Sequence, residues 1–196
     1  SERLGCTPFF EPEAENPYLA DFYQDMTAWG FHSQIFFLAT RLQIHREILR
    51  CADSVIQDRS VYEDAEIFAA NLRRREGINL RDYETYRALY RGVAEFLPPP
   101  DLVIYLQASP DTLMKRIAQR NRDYERDIQR DYLEDLNKLY ERWIEGFTLC
   151  SVLTVPADQL NYVAHPIHLD LIVRKIQEKL SGKDVVVFDP DEILQI

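Results

Sequence analysis

Residues 102–116 read LVIYLQASPDTLMKR, and this stretch decides the fold. Leu102 to Leu106 form a near-continuous apolar run, which suits a strand covered on both faces, as strands of parallel sheets are. Ser109, Pro110 and Asp111 follow at once as N-cap, first-turn proline and first-turn acid, so a helix opens directly behind the strand. The rest of the chain repeats this alternation. Further strands are predicted at Thr7 to Phe10, Ser54 to Gln57, Val152 to Val155 and Val185 to Phe188. Asn16 and Pro17 are expected to open a helix whose apolar side is Leu19, Phe22, Tyr23 and Met26. Periodicity predicts others over His32 to Ala52, Tyr62 to Arg74, Leu80 to Leu97, Ile128 to Phe147 and Pro166 to Leu180. Pro98 to Pro100 and Gly182 supply stops. Alternating strands and helices predict an α/β fold with a parallel sheet flanked by helices. No repeat or long linker divides the chain, so residues 1–196 are expected to form a single domain.

The chain has 196 residues, a net charge of −10 and 46% hydrophobic residues. An acidic balance argues against a general nucleic-acid partner, which would need a basic face. The apolar runs fall far short of the roughly 18 to 20 residues that span a bilayer, so no membrane partner is expected. Cys6, Cys51 and Cys150 are odd in number and lack CxxC spacing. They read as reduced thiols of a cytoplasmic protein.

Four constellations carry chemistry. Glu11 and Pro12 follow the first strand, at the carboxyl edge where α/β proteins place ligands; the competing reading is a solvated acid beside Glu13 and Glu15. Asp58, Arg59 and Ser60 end the second strand, where an acid and an arginine suit a metal and a phosphate, unless they are a surface ion pair. Arg116, Arg120, Arg122 and Arg126, with Glu125 among them, concentrate positive charge in an acidic chain and point to phosphate; a solvated basic helix is the alternative. Tyr23, Trp29, Phe31, Phe36, Phe37 and Phe68 read first as core, but Gln34 among them needs partners, and its amide suits a base edge.

In this order and spacing the motifs resemble the deoxynucleoside kinase family, from Glu11 to Leu180. The resemblance implies a three-layer P-loop-kinase-like fold, ATP and Mg2+ as cofactors, and transfer of the γ-phosphoryl group of ATP to the 5′-hydroxyl of a deoxynucleoside. It implies that Glu11 is the base on that hydroxyl, that Arg59 stabilises the transferring group, and that Asp58 meets magnesium. Tyr23 and Glu125 would hold the 3′-hydroxyl, Gln34 the base edge, Phe68 would stack on the base, and Trp29 would close the pocket. Arg41 and Asp64, the pair that lines the pocket in purine and deoxycytidine kinases, favour deoxyadenosine or deoxyguanosine, with deoxycytidine open. Arg116, Arg120 and Arg122 match the lid over the donor, at about 116–127, and Asp158 to Tyr162 the loop on its adenine. Asn121 stands where relatives often have glycine; both tolerate left-handed backbone. The family is usually a homodimer, through helices corresponding to His32 to Ala52 and Leu80 to Leu97.

One departure is large. No GxxxxGK[ST] loop is present: the glycines stand singly at 5, 30, 77, 92, 146 and 182. Ser1 to Cys6 reads as the last turn of a helix stopped by Gly5. We therefore expect about 20 to 25 further residues before Ser1, supplying the first central strand, the phosphate loop and most of a helix. Three rivals remain: a nucleoside-binding protein without catalysis, an acidic helical interaction domain, and a nucleoside monophosphate kinase. The last needs a cation for the acceptor phosphate where Glu11 stands.

Overall fold

A computed structural model of the chain describes residues 1–11, 15–125, 128–194 and 196. Pro12 and Arg126, both singled out above, lie outside the described residues, as does residue 127 at the end of the expected lid. The backbone gathers into two compact units, Ser1–Leu97 with Arg120–Trp143, and Pro98–Gln119 with Ile144–Ile196.

In the first unit, β1 (Thr7–Phe9) pairs in parallel with β2 (Val55–Gln57), in the register Thr7↔Val55 to Phe9↔Gln57. The chain between them forms α1 (Leu19–Gln24) and the long α2 (Met26–Ile48). Asn16 does not cap α1, which starts at Leu19. Its Oδ1 instead accepts from the Tyr18 N–H and its Nδ2 donates to Ser33 Oγ, both at 3.0 Å, tying the entry turn to α2. Met26 belongs to α2, which begins six residues before the predicted His32 because Asp25 accepts from the Ala28 N–H and caps it there. Gly30 lies inside this helix because a Cβ there would come within 2.4 Å of the Gly77 carbonyl oxygen.

Beyond β2 a continuous helical stretch comprises α3 (Val61–Glu63), a π-helical turn (Asp64–Ala69) and α4 (Ala70–Arg74). It packs with α2 and α5 (Leu80–Ala94) around a core that includes Leu38, Val61, Ala65, Ala69 and Tyr86. A short 3-10 turn, Asp123–Glu125, packs against α1, and α7 (Arg130–Glu145) completes the unit as far as Trp143.

The second unit pairs β3 (Leu102–Gln107) in parallel with β4 (Ser151–Pro156), flanked by α6 (Pro110–Arg120) and α8 (Pro166–Leu180). Buried Leu153 and Val155 of β4 and Leu171, Ile172 and Ile176 of α8 form its core. The strand expected at Val185 to Phe188 is not formed. Val185 and Val187 are exposed, and the tail ends in α9 (Pro190–Leu194), held to α8 by Lys175 Nζ and Glu192 Oε2 at 2.8 Å. The architecture is α/β, with parallel strands flanked by helices. Gly5 (φ 66°) and Asn121 (φ 50°) adopt the left-handed backbone expected of them. Among the described residues no helix is long and apolar enough to cross a membrane.

Candidate active site

Parallel pairing of β1 and β2 puts their carboxyl ends side by side, and the Asp58 N–H donates to the Phe9 carbonyl at 2.8 Å. The residues just beyond, Glu11 and Arg59, therefore meet at one sheet edge: Arg59 Nε lies 3.1 Å from Glu11 Oε2. Arg59 has φ 61°, a left-handed conformation that costs a non-glycine residue roughly 1–2 kcal/mol. Its guanidinium sits 4.7 Å from the centroid of the Phe68 ring. With the Arg59 side chain 39% exposed, water screens its pairing with Glu11, and this contact orients more than it stabilises.

Arg41 comes from α2 and is 3% exposed. Its NH2 group contacts Glu11 Oε1 at 2.6 Å, while its Nε donates to Asp64, which is 2% exposed. Both carboxylate oxygens of Glu11 are thus engaged by arginines from two different elements. Burial pushes the Asp64 carboxyl up to about 6 even against the pull of Arg41. Glu63, next to it, is pushed up to about 7 by burial, against Arg59 and Arg41.

The expected nucleoside residues lie in the same unit. Gln34 is 4% exposed, and its Oε1 has no partner among the described protein atoms. A buried amide oxygen without a donor costs the free protein about 1–3 kcal/mol, and a base edge would satisfy it. Gln34→Leu is accordingly expected to raise Tm by about 2–4 °C while weakening deoxynucleoside binding about 100-fold. Thermal unfolding and calorimetric titration of the same samples test this; wild-type affinity in the variant would remove Gln34 from the site. Tyr23 and Trp29 are half-buried around a second apolar cluster with Phe22, Leu72 and Ile78. Glu125, 6% exposed, is gripped by Arg120 through two contacts of 2.6 and 3.0 Å and approached by Arg122 at 3.6 Å. Two of the expected lid arginines are therefore joined to the expected sugar ligand.

In the second unit, Arg116 donates to the Ala157 carbonyl at 2.6 Å and Asp158 accepts from the Ser109 N–H at 2.9 Å. Burial opposes ionisation of Asp158, but hydrogen bonds from Thr112 and Ser109 outweigh it and hold its carboxyl below the usual range. Tyr162 follows, half-buried, in a loop whose Asn161 N–H donates to His168 Nδ1 at 2.9 Å. Among the described residues no group of three or more His, Cys, Asp or Glu side chains forms a metal site. A lone exposed carboxylate such as Asp58 still fits magnesium, which keeps several waters and is brought in by phosphates.

Two residues at this site escaped the sequence reading. Glu63 accepts the Ser60 N–H and also a hydrogen bond from the Tyr140 hydroxyl, at 3.4 Å. The S-x-x-E spacing of Ser60 and Glu63 is a capping-box signature that would have marked Glu63. Tyr140, 77 residues further on, carries no local signal.

Comparison with known proteins bears on the family of the chain. The family model described as deoxynucleoside kinase matches residues 1–181. Deoxyadenosine/deoxycytidine kinase of Bacillus subtilis is 35% identical over 178 residues, covering 90% of this chain and 82% of that protein. Deoxyguanosine kinase of Lactobacillus acidophilus is 30% identical over 207 residues, covering 100% and 90%. Among solved structures, deoxyadenosine kinase from M. mycoides with the products dCMP and a flexible dCDP superposes with a TM-score of 0.81 at 32% identity, over 91% of this chain and 89% of that one. With family motif, sequence relatives and backbone in agreement, this chain belongs to the deoxynucleoside kinase family.

Proposed function

We propose that the protein phosphorylates purine deoxynucleosides, with deoxycytidine as a second acceptor. The general activity follows from the family: an ATP-dependent phosphotransferase acting on a deoxynucleoside, usually in nucleotide salvage. The finer reading rests on one observation. Arg41 is a single buried guanidinium that contacts both Glu11, at the expected reacting end of the nucleoside, and Asp64, at the expected base end. Base recognition and chemistry thus share a cation, and a base that fails to complete the Arg41–Asp64 pair leaves buried charge unsatisfied. The M. mycoides kinase is solved with dATP and also with dCTP, which supports accepting both base classes.

In this reading Glu11 takes the proton as the 5′-oxygen forms its bond to the γ-phosphorus and the bond from that phosphorus to the departing ADP oxygen breaks. Arg59 supplies positive charge to the transferring group, with Arg116, Arg120 and Arg122 as the lid and the Asp158 to Tyr162 loop on the adenine of ATP. Tyr23 and Glu125 hold the sugar 3′-hydroxyl once the arginines on Glu125 turn to the donor. Asp58 would hold Mg2+, which when bound neutralises developing phosphate charge. The free thiols Cys6, Cys51 and Cys150 suit a cytoplasmic enzyme. An apolar groove of about 270 Å³ on α2, lined by Phe31, Ile35, Phe36 and Ala39, supports a homodimer through this helix; a monomer mass by light scattering at micromolar protein would remove that part.

The test is a thermal-shift series with deoxyadenosine, deoxyguanosine, deoxycytidine and thymidine. At about 100 times its Kd an acceptor stabilises by roughly 2.7 kcal/mol. Stabilisation by the purine deoxynucleosides, with deoxycytidine weaker and thymidine silent, is expected. Thymidine as the strongest ligand would overturn the purine assignment.

A further inference from the structure

Arg59 sits in an unusual cage. Its left-handed backbone persists only because its surroundings over-determine it. Glu63 closes the turn from one side: its carboxylate folds back over the start of α3 to accept the Ser60 N–H. Tyr140, from α7, donates its hydroxyl to Glu63 Oε1 at 3.4 Å and sets its ring edge-on to Phe68 at 6.2 Å. Phe68 in turn carries the Arg59 guanidinium on its face. Glu63 is therefore tied both to the turn that holds Arg59 and, through Tyr140, to the ring beneath its guanidinium.

We infer that Glu63, held by Tyr140, is a positioning residue whose charge sets how firmly the Arg59 guanidinium is kept back over Phe68 rather than released toward the transferring phosphoryl group. This rests on the kinase reading of Arg59. The charges facing Glu63 are Arg59 from the preceding turn, Arg41 from α2 and Asp64 from the π-helical turn, with the Tyr140 hydroxyl from α7. Glu11 and Asp64 balance Arg41 and Arg59 when Glu63 is neutral; ionised Glu63 adds a third carboxylate that competes for Arg59. Burial raises Glu63 to about 7, so this competition changes over the working pH range. Loss of its proton as pH rises tightens the hold on Arg59 and lowers kcat.

The experiment uses the full-length protein. Wild-type kcat with deoxyadenosine and ATP is expected to fall between pH 6 and pH 8, whereas Glu63→Gln, permanently neutral, shows no such fall and keeps nucleoside KM within about twofold. Tyr140→Phe keeps the ring against Phe68 but removes the donor that favours the charged carboxylate, so the fall moves to higher pH. Infrared titration gives a readout independent of turnover: of two protonated-carboxyl C=O bands in wild type, the one lost near pH 7 is absent from Glu63→Gln, while the one lost near pH 6, from Asp64, remains. If both variants keep the wild-type pH profile, or the Glu63 band does not titrate near neutrality, the inference is wrong. Wild-type protein that phosphorylates no deoxynucleoside while the Glu63 band titrates as expected would instead overturn the kinase reading.

Discussion

Glu11→Gln lowers kcat about 10³-fold while the nucleoside KM shifts by less than about fivefold. Glutamine keeps the length and shape of the side chain and leaves an amide oxygen facing Arg41 or Arg59, so the local packing at the end of β1 survives. What it loses is the ability to take a proton from a hydroxyl, a contribution worth about 10²–10⁴ in rate. Because the effect falls on the transition state, kcat and kcat/KM drop together. A variant retaining more than a tenth of wild-type kcat would show that Glu11 only orients Arg41 and Arg59, and would move the base to another group. Steady-state turnover with deoxyadenosine, beside a thermal melt to verify folding, makes the measurement.

The strands and most helices were legible because their signals are local. LVIYLQ followed by an immediate Ser-Pro-Asp cap reads as strand and helix without reference to the remaining chain, and β3 and α6 start where those signals lie. Val185 to Phe188 carries the same apolar signature and fails, since a strand also needs a neighbour to pair with and composition cannot supply one. The start of α2 lies six residues before the expected His32, where Asp25 caps the helix, and the place of Gly30 in its first turns is fixed by the close approach of Gly77, which is a tertiary fact.

The site divides in the same way. Glu11 and Arg59 were visible because each ends a recognisable strand, and parallel pairing of those strands joins them. The contact between Arg41 and Asp64 spans 23 positions, and that between Tyr140 and Glu63 spans 77. Resemblance to the family located the first pair. Nothing in the residue pattern marks Tyr140, whose role depends on where α7 returns.

Arg41→Met is expected to destabilise the protein by about 3–5 kcal/mol, a large share of a typical total of about 5–15. It leaves the Asp64 carboxylate, 2% exposed, without its guanidinium, and removes one of the two arginines on Glu11. Asp64 already sits at about 6 because burial resists its charge even with Arg41 present. A carboxyl whose folded-state pKa lies above its unfolded value near 4 binds more protons folded than unfolded between those limits, so its contribution to stability falls as pH rises through that window. Without Arg41 the carboxyl rises further, the window widens upward, and the deficit of the variant is therefore larger at pH 8 than at pH 5. Adding Asp64→Leu removes the orphaned charge. The double variant should recover to within about 1–2 kcal/mol of wild type and lose most of the excess pH dependence, because apolar groups of similar volume replace a buried ion pair at little cost. Deoxyadenosine binding should not recover with stability, since the pair is held in the core at a cost that only a bound base offsets. Urea unfolding at both pH values, with calorimetric titration of deoxyadenosine, separates the two properties. A double variant that binds deoxyadenosine as tightly as wild type would show that Arg41 and Asp64 serve the fold and not the base.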